Sequence, residues 1–140
     1  MVRQLDSVDN YKVIRLRGIV TRGIGESKYF TEIPWLKEQF ISKLGINPYP
    51  GTFNIVLPAK DRGKLDTIRE VKGTEITPQD ENFCAASSFT VLVEGRIKGA
   101  AIVPQVANYP PRQLEIISTE NIKQALSLND GDLVEVTVYL

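Results

Sequence analysis

Residues 11–20, YKVIRLRGIV, alternate: Ile14, Leu16 and Val20 point one way, Arg15 and Arg17 the other. A period of two predicts a strand with one buried face. The polar stretch 1–10 ahead of it has no period and is expected to fray, and a turn segment, TRGIGESK, follows it. From residue 33 the period lengthens. Ile33, Leu36, Phe40 and Leu44 lie at helical spacing and predict a helix over 33–44, with Thr31 as cap, Pro34 in the first turn and Gly45 closing the end. NPYPG marks a turn. Residues 52–57, TFNIVL, predict a second strand, with Phe53, Ile55 and Leu57 on one face and Thr52 and Asn54 on the other.

Residues 60–81 are charged, turn-rich and without a readable period; the Lys and Arg residues of 60–72 alternate with acids and read as a solvated loop. FTVLVEG, GAAIVP and QLEII predict three short strands, the first two joined by a hairpin at Gly95. Between the last two lies QVANYPPR, a loop whose prolines forbid regular pairing. STENIKQAL predicts a short helix with Ser118 or Thr119 as cap and Glu120 in its first turn. LNDGD is a turn, and LVEVTVYL is a last strand with Val134, Val136, Val138 and Leu140 on one face. Six short strands and two or three short helices in one domain, 1–140, predict a mainly β fold. Closing such strands into a small barrel hides their edges.

Composition narrows the chemistry. Seventeen Lys and Arg balance seventeen Asp and Glu, which argues against a dedicated nucleic-acid binder with its basic stripe. Arg15, Arg17, Arg22 and Lys28 nevertheless cluster near the start. The lone cysteine, Cys84, permits no internal disulfide and suits a reducing compartment. There is no histidine, so a Cys/His zinc site and any histidine-based triad are excluded. Cys84 then reads as a small buried residue. Trp35, Phe40 and Phe30 read as core or helix anchors. No apolar leader and no stretch of about 18 apolar residues is present, so the cytoplasm is the expected location and no membrane partner is expected.

Three segments carry candidate chemistry. In Gly23-Ile24-Gly25-Glu26-Ser27-Lys28 two glycines permit a turn whose N–H groups face an anion; the pattern is neither a Walker loop nor a dinucleotide fingerprint, and a plain connecting loop is the competing reading. In Pro50-Gly51-Thr52-Phe53-Asn54 a hydroxyl and a carboxamide project from one strand face. Both are oxygen donors suited to Mg2+, unless they are merely the polar face of a half-buried strand. Glu115 stands between Leu114 and Ile116, facing away from both. It is either a solvated carboxylate or a buried acceptor for a ligand hydroxyl.

Taken in order, the strand, GIGESKYF, the helix, GINPYPGTFNIVL, GAAIVP, LEII and LNDGDLVEV resemble the archaeal CTP-dependent riboflavin kinase family over residues 17–140. The resemblance implies a six-stranded cradle-loop barrel. It implies the reaction of CTP with riboflavin to give CDP and FMN, with Mg2+ as cofactor. It implies that Gly23, Ile24, Gly25, Glu26, Ser27 and Lys28 wrap the nucleotide phosphates, and that Thr52 and Asn54 hold the metal. It further implies that Glu120, Asn121, Ile122 and Lys123 line the nucleotide and that Glu115 holds the flavin, with a tentative catalytic role. Ala107 departs from the pattern, which has a threonine there. Either a hydroxyl contact to flavin is missing or Asn108 or Tyr109 supplies it. Such an enzyme is expected to be a monomer or weak oligomer that binds no nucleic acid. The alternatives are a non-catalytic nucleotide- or flavin-binding module and a swapped-hairpin DNA-binding barrel, which shares the glycine–aspartate turn. Phosphoryl transfer rests on positioning and charge neutralisation, so it can proceed without histidine.

Overall fold

The computed structural model of the protein describes residues 12–22 and 27–140. Its elements are strand β1 (Val13–Thr21), helices α1 (Ser27–Glu32) and α2 (Pro34–Leu44), strand β2 (Phe53–Val56), a 3-10 turn (Ala59–Asp61), helix α3 (Arg62–Glu70), strands β3 (Thr74–Ile76), β4 (Ala86–Val93), β5 (Ile97–Pro104) and β6 (Gln113–Ile117), helix α4 (Ile122–Ala125) and strand β7 (Leu133–Tyr139). All pairings are antiparallel, in the order β4-β5-β6-β2-β1-β7, and β7 returns to β4 to close a six-stranded barrel. β3 adds to the free side of β4 as a seventh strand outside the ring. Among the described residues no helix is long and apolar enough to cross a membrane.

Alternation fills the ring. Leu16 and Val20 of β1, Phe53 and Ile55 of β2, Leu114 and Ile116 of β6 and Val134, Val136 and Val138 of β7 all turn inward and are buried. β5 is buried on both faces: Ala101 and Val103 join the interior, while Ala100 and Ile102 face outward under α2. That double burial is why GAAIVP reads as an unbroken apolar run. Ile33, Leu36 and Phe40 complete this outer core against Ile76, Ala86 and Ile117. Phe30 packs at 5.9 Å on the fully buried Phe40, and Trp35 meets Phe83 edge-on at 5.2 Å.

The ends of α2 follow the sequence at one end only. Gly45 takes φ 70°, and the N–H groups of Gly45 and Ile46 reach back to the carbonyls of Ile41 and Phe40, a glycine-stopped helix. At the start, Ile33 occupies the cap position without a side-chain bond. Thr31 does not cap; it lies in α1, and its hydroxyl accepts the Gly51 N–H at 2.8 Å. In the three-residue hairpin loop Glu94-Gly95-Arg96, between the partners Val93 and Ile97, Glu94 and Gly95 both take positive φ, 53° and 65°, and Arg96 N–H donates back to the Val93 carbonyl at 3.0 Å.

Three further expectations are corrected. Residues 60–72 are not a loop: they hold the end of the 3-10 turn and all of α3, and β3 follows within the stretch that showed no period. Leu65 and Ile68 bury one stripe of α3 in the barrel mouth while its charges stay in water. α4 starts at Ile122, so Glu120 precedes it; Asn121, not Ser118 or Thr119, caps it, accepting the Gln124 N–H at 3.2 Å. Ser118 instead donates to the Lys98 carbonyl at 2.9 Å. Cys84 is exposed, because it lies in the turn before β4 rather than on a strand face.

Candidate functional site

The PYPGTFN segment is positioned by backbone bonds at both ends. Tyr49 N–H donates to the Ser118 carbonyl at 2.7 Å, and Gly51 N–H to Thr31 Oγ1 at 2.8 Å. Gly51 adopts φ 102°, a conformation closed to most side chains, and the turn it permits brings Thr52 in line with β2. The register then places Asn54 opposite Thr21 of β1 on one side and opposite Glu115 of β6 on the other. Residues far apart in the chain, Thr21, Arg22 and Thr31, 49–54 and 115–118, thus meet at one end of the barrel.

Three side chains converge there. Thr52 Oγ1 lies 3.3 Å from Asn54 Oδ1 and 3.3 Å from Glu115 Oε1. The Asn54 amide is 2% exposed and donates to the Thr52 carbonyl at 3.1 Å and toward the Arg22 carbonyl at 3.5 Å. The amide nitrogen also donates to Thr52 Oγ1 at 3.1 Å, so both ends of the amide face the Thr52 hydroxyl. Thr52 and Asn54 offer a hydroxyl and a carboxamide, hard oxygens of the kind Mg2+ takes. Their 3.3 Å spacing is close to the ~2.9 Å edge of an octahedron with 2.0–2.1 Å bonds. Among the described residues no three His, Cys, Asp or Glu side chains gather at a metal-binding distance, so a cation here would depend on neutral oxygens and on a ligand's own charge.

Glu115 is held at both oxygens. Oε1 faces Thr52, and Oε2 accepts the Tyr109 hydroxyl at 2.5 Å. Burial, and next the neighbouring carboxylate, push the Tyr109 phenol well above the ordinary tyrosine range, so it stays a donor. Spacing along the chain gives no sign of this contact. Ala107, two residues away, is exposed on the same loop.

A cleft of about 140 Å3 opens beside Thr52, walled by Tyr49, Pro50, Gly51 and Phe53 on one side and by Ser118, Glu120, Asn121, Ile122 and Lys123 on the other. It is smaller than the ~300–1,000 Å3 of a site for a drug-sized ligand. Of the four residues expected to line a nucleotide, Ile122 is 3% exposed and belongs to the core, and Asn121 spends its side chain on the cap. Lys123 carries the charge, and it is paired with Asp130 at 2.5 Å. That pair bridges to a larger groove of about 880 Å3 on the outer wall, where Arg17, Arg22, Lys60 and Arg112 surround an apolar floor that includes Ile19 and Leu133. Gly23, Ile24, Gly25 and Glu26 lie outside the described residues; Ser27 and Lys28 begin α1.

The sequence model of the CTP-dependent riboflavin kinase domain, described as a domain of unknown function (DUF120), matches residues 20–138. A riboflavin kinase of Archaeoglobus fulgidus is 36% identical over 135 residues, covering 94% of this chain and 58% of that protein. One from Ignicoccus hospitalis is 33% identical over 142 residues, covering 99% of this chain and 76% of that protein. One from Sulfurisphaera tokodaii is 33% identical over 133 residues, covering 92% and 98%. This chain therefore spans little more than half of some relatives and nearly all of others.

Proposed function

Because the chain belongs to the archaeal CTP-dependent riboflavin kinase family, we propose that it transfers the terminal phosphoryl group of CTP to riboflavin, giving CDP and FMN. One observation carries the reading: the register of β1, β2 and β6 brings Thr52, Asn54 and Glu115 within 3.3 Å contacts at the end of the barrel where Thr52 also borders the cleft lined by Ser118 and Glu120 to Lys123.

The family resemblance suggests the roles, and the contacts among Thr52, Asn54 and Glu115 support them. Thr52 and Asn54 would hold Mg2+, which supplies charge neutralisation at the phosphates. Glu120 to Lys123 would line the nucleotide, as the family resemblance also implies for Gly23 to Lys28, and Lys123 brings a cation to the cleft. The outer groove, with Arg17, Arg22, Lys60 and Arg112, offers the volume and charge that the cleft lacks. Glu115 faces the flavin and accepts hydrogen bonds from it. As the acceptor hydroxyl oxygen bonds to the terminal phosphorus and the bond to the CDP oxygen breaks, Glu115 is the carboxylate placed to take the hydroxyl proton. A loose transition state asks little of a base, so holding the acceptor in line is its larger task. Ala107 offers no hydroxyl here.

The test is to incubate the protein with riboflavin, Mg2+ and each nucleoside triphosphate in turn. FMN should form with CTP well above the level with ATP or GTP. Equal rates with ATP would remove the family's chemistry from this chain, and flavin or nucleotide binding without FMN would leave a non-catalytic module.

A further inference from the structure

We propose that Tyr109 is a positioning residue for Glu115: its hydroxyl fixes one carboxylate oxygen and so turns the other toward Thr52, at the wall of the cleft. The inference rests on the reading of Glu115 as the flavin's acceptor and adds a residue to it.

The first support is the shape of the contact. Tyr109 donates to Oε2 at 2.5 Å while Thr52 approaches Oε1 at 3.3 Å. One donor per oxygen removes the rotation that a carboxylate on a strand otherwise keeps, and two donors leave lone pairs on both oxygens for a ligand. The second is that the loop bearing Tyr109 is tied down. Arg69 of α3 donates to the carbonyls of Pro110 and Pro111 at 3.3 and 3.1 Å. Gln105 N–H donates to the Ala85 carbonyl at 2.9 Å, and Gln113 N–H reaches the Pro110 carbonyl at 3.3 Å. Pro110 and Pro111 remove two backbone torsions from the same stretch. The phenol is thus delivered to Glu115 by α3. The third is protonation. Burial and Glu115 hold the phenol neutral against the smaller opposing effects of the Gln113 amide, which lies near it without full hydrogen-bond geometry, and of the Arg69 charge. The hydroxyl remains a donor throughout the range in which an enzyme works. A short bond to an ionised acceptor is among the stronger kinds available.

The experiment has a ligand-free arm and a ligand arm. In protein labelled with 13C at tyrosine Cζ, titrated to pH 11, the Tyr109 resonance should stay protonated, and Glu115→Gln should bring its titration down. Tyr109→Phe should raise the riboflavin Kd and KM about three- to tenfold, the effect of one hydrogen bond, with the CDP Kd unchanged. A Tyr109 titration indifferent to Glu115→Gln would overturn the contact. Tighter riboflavin binding in Tyr109→Phe would make the phenol a plug, and equal loss of riboflavin and CDP would make it a structural prop; either overturns the proposal. Failure of the wild type to bind riboflavin would sink the functional reading instead, and the tyrosine titration, made without ligand, would still decide whether Tyr109 holds Glu115.

Discussion

Replacing Asn54 with alanine should damage stability and turnover by separable amounts. The side chain is 2% exposed, and its amide is the donor to the Thr52 carbonyl at 3.1 Å and a weaker one to Arg22 at 3.5 Å. Truncation strands at least the first carbonyl in a buried position, which costs about 1–3 kcal/mol. For a chain of this size that is a fall in Tm of about 3–10 °C, without any ligand present. The lost carboxamide oxygen is a second effect. If it holds the cation that neutralises the transferring phosphate, turnover should fall about 100- to 1,000-fold, the scale of losing one transition-state donor. Asn54→Asp separates the two. It keeps an oxygen but sets a second carboxylate directly across the strand pair from Glu115. Like charges in that position repel, so the variant should melt early in EDTA and recover when Mg2+ is added. Scanning fluorimetry with and without Mg2+, beside FMN formation from limiting to saturating Mg2+, reads both effects. Wild-type turnover of Asn54→Ala at limiting Mg2+ would refute the metal role. An unchanged Tm would refute the buried anchoring.

Glu115→Gln should raise the riboflavin Kd roughly ten- to hundredfold and leave CDP alone; fluorescence quenching by the two ligands in parallel checks it, and equal weakening of both would move the flavin elsewhere. Ala107→Thr should leave riboflavin affinity within about twofold, because Tyr109 already donates to Glu115; a gain of about tenfold, one full hydrogen bond, would contradict this. Lys123→Met should weaken CDP binding and flatten its salt dependence, with little change in Tm at neutral pH. Its partner Asp130 is held below the ordinary 3.8 chiefly by the Lys123 hydrogen bond, so what the pair lends to stability is present above that value and fades as pH falls through the lower folded one. A Tm difference between wild type and Lys123→Met that grew on acidification would contradict the sign. Phe40→Ala should cost about 3–5 kcal/mol by emptying the junction of α2 with the outer core; denaturant unfolding measures it, and a loss below about 1 kcal/mol would mean that α2 is not anchored there.

The barrel was legible wherever one face is buried and the other wet. β1, β2 and β7 alternate because the ring has an inside, and α2 shows a helical period because it covers the outside of that ring. α3 escaped because only Leu65 and Ile68 mark its buried stripe in a run of charge, too few to establish a period. β3 has three residues, and a strand added to an outer edge needs no alternation of its own. The caps failed for a shared reason. Thr31, Ser118 and Asn121 are all residues that cap helices well, and which of them does so depends on neighbours remote in sequence: Thr31 is taken by Gly51 and Ser118 by Lys98. The site was legible as residue types and blind as geometry. Thr52 and Asn54 were visible on one strand, but Glu115 reaches them only through the β2–β6 register. Tyr109 reaches Glu115 from a loop with no period to read.

The seam between β7 and β4 has a consequence for how the chain comes off the ribosome. β4, β5 and β6 are neighbours in sequence and can zip as they emerge, but β7 pairs with β1 along its whole length and with β4 at Val91, Leu92 and Val93. Until residues 133–139 leave the exit tunnel, the nascent chain presents two unpaired edges at once, β1 and the end of β4, above an unsealed apolar interior. Such edges recruit other strands, and pairings this distant in sequence form slowly. A nascent chain stalled at the Asn129–Asp132 turn would carry nearly the whole barrel and none of its protection from neighbouring copies on the same polysome.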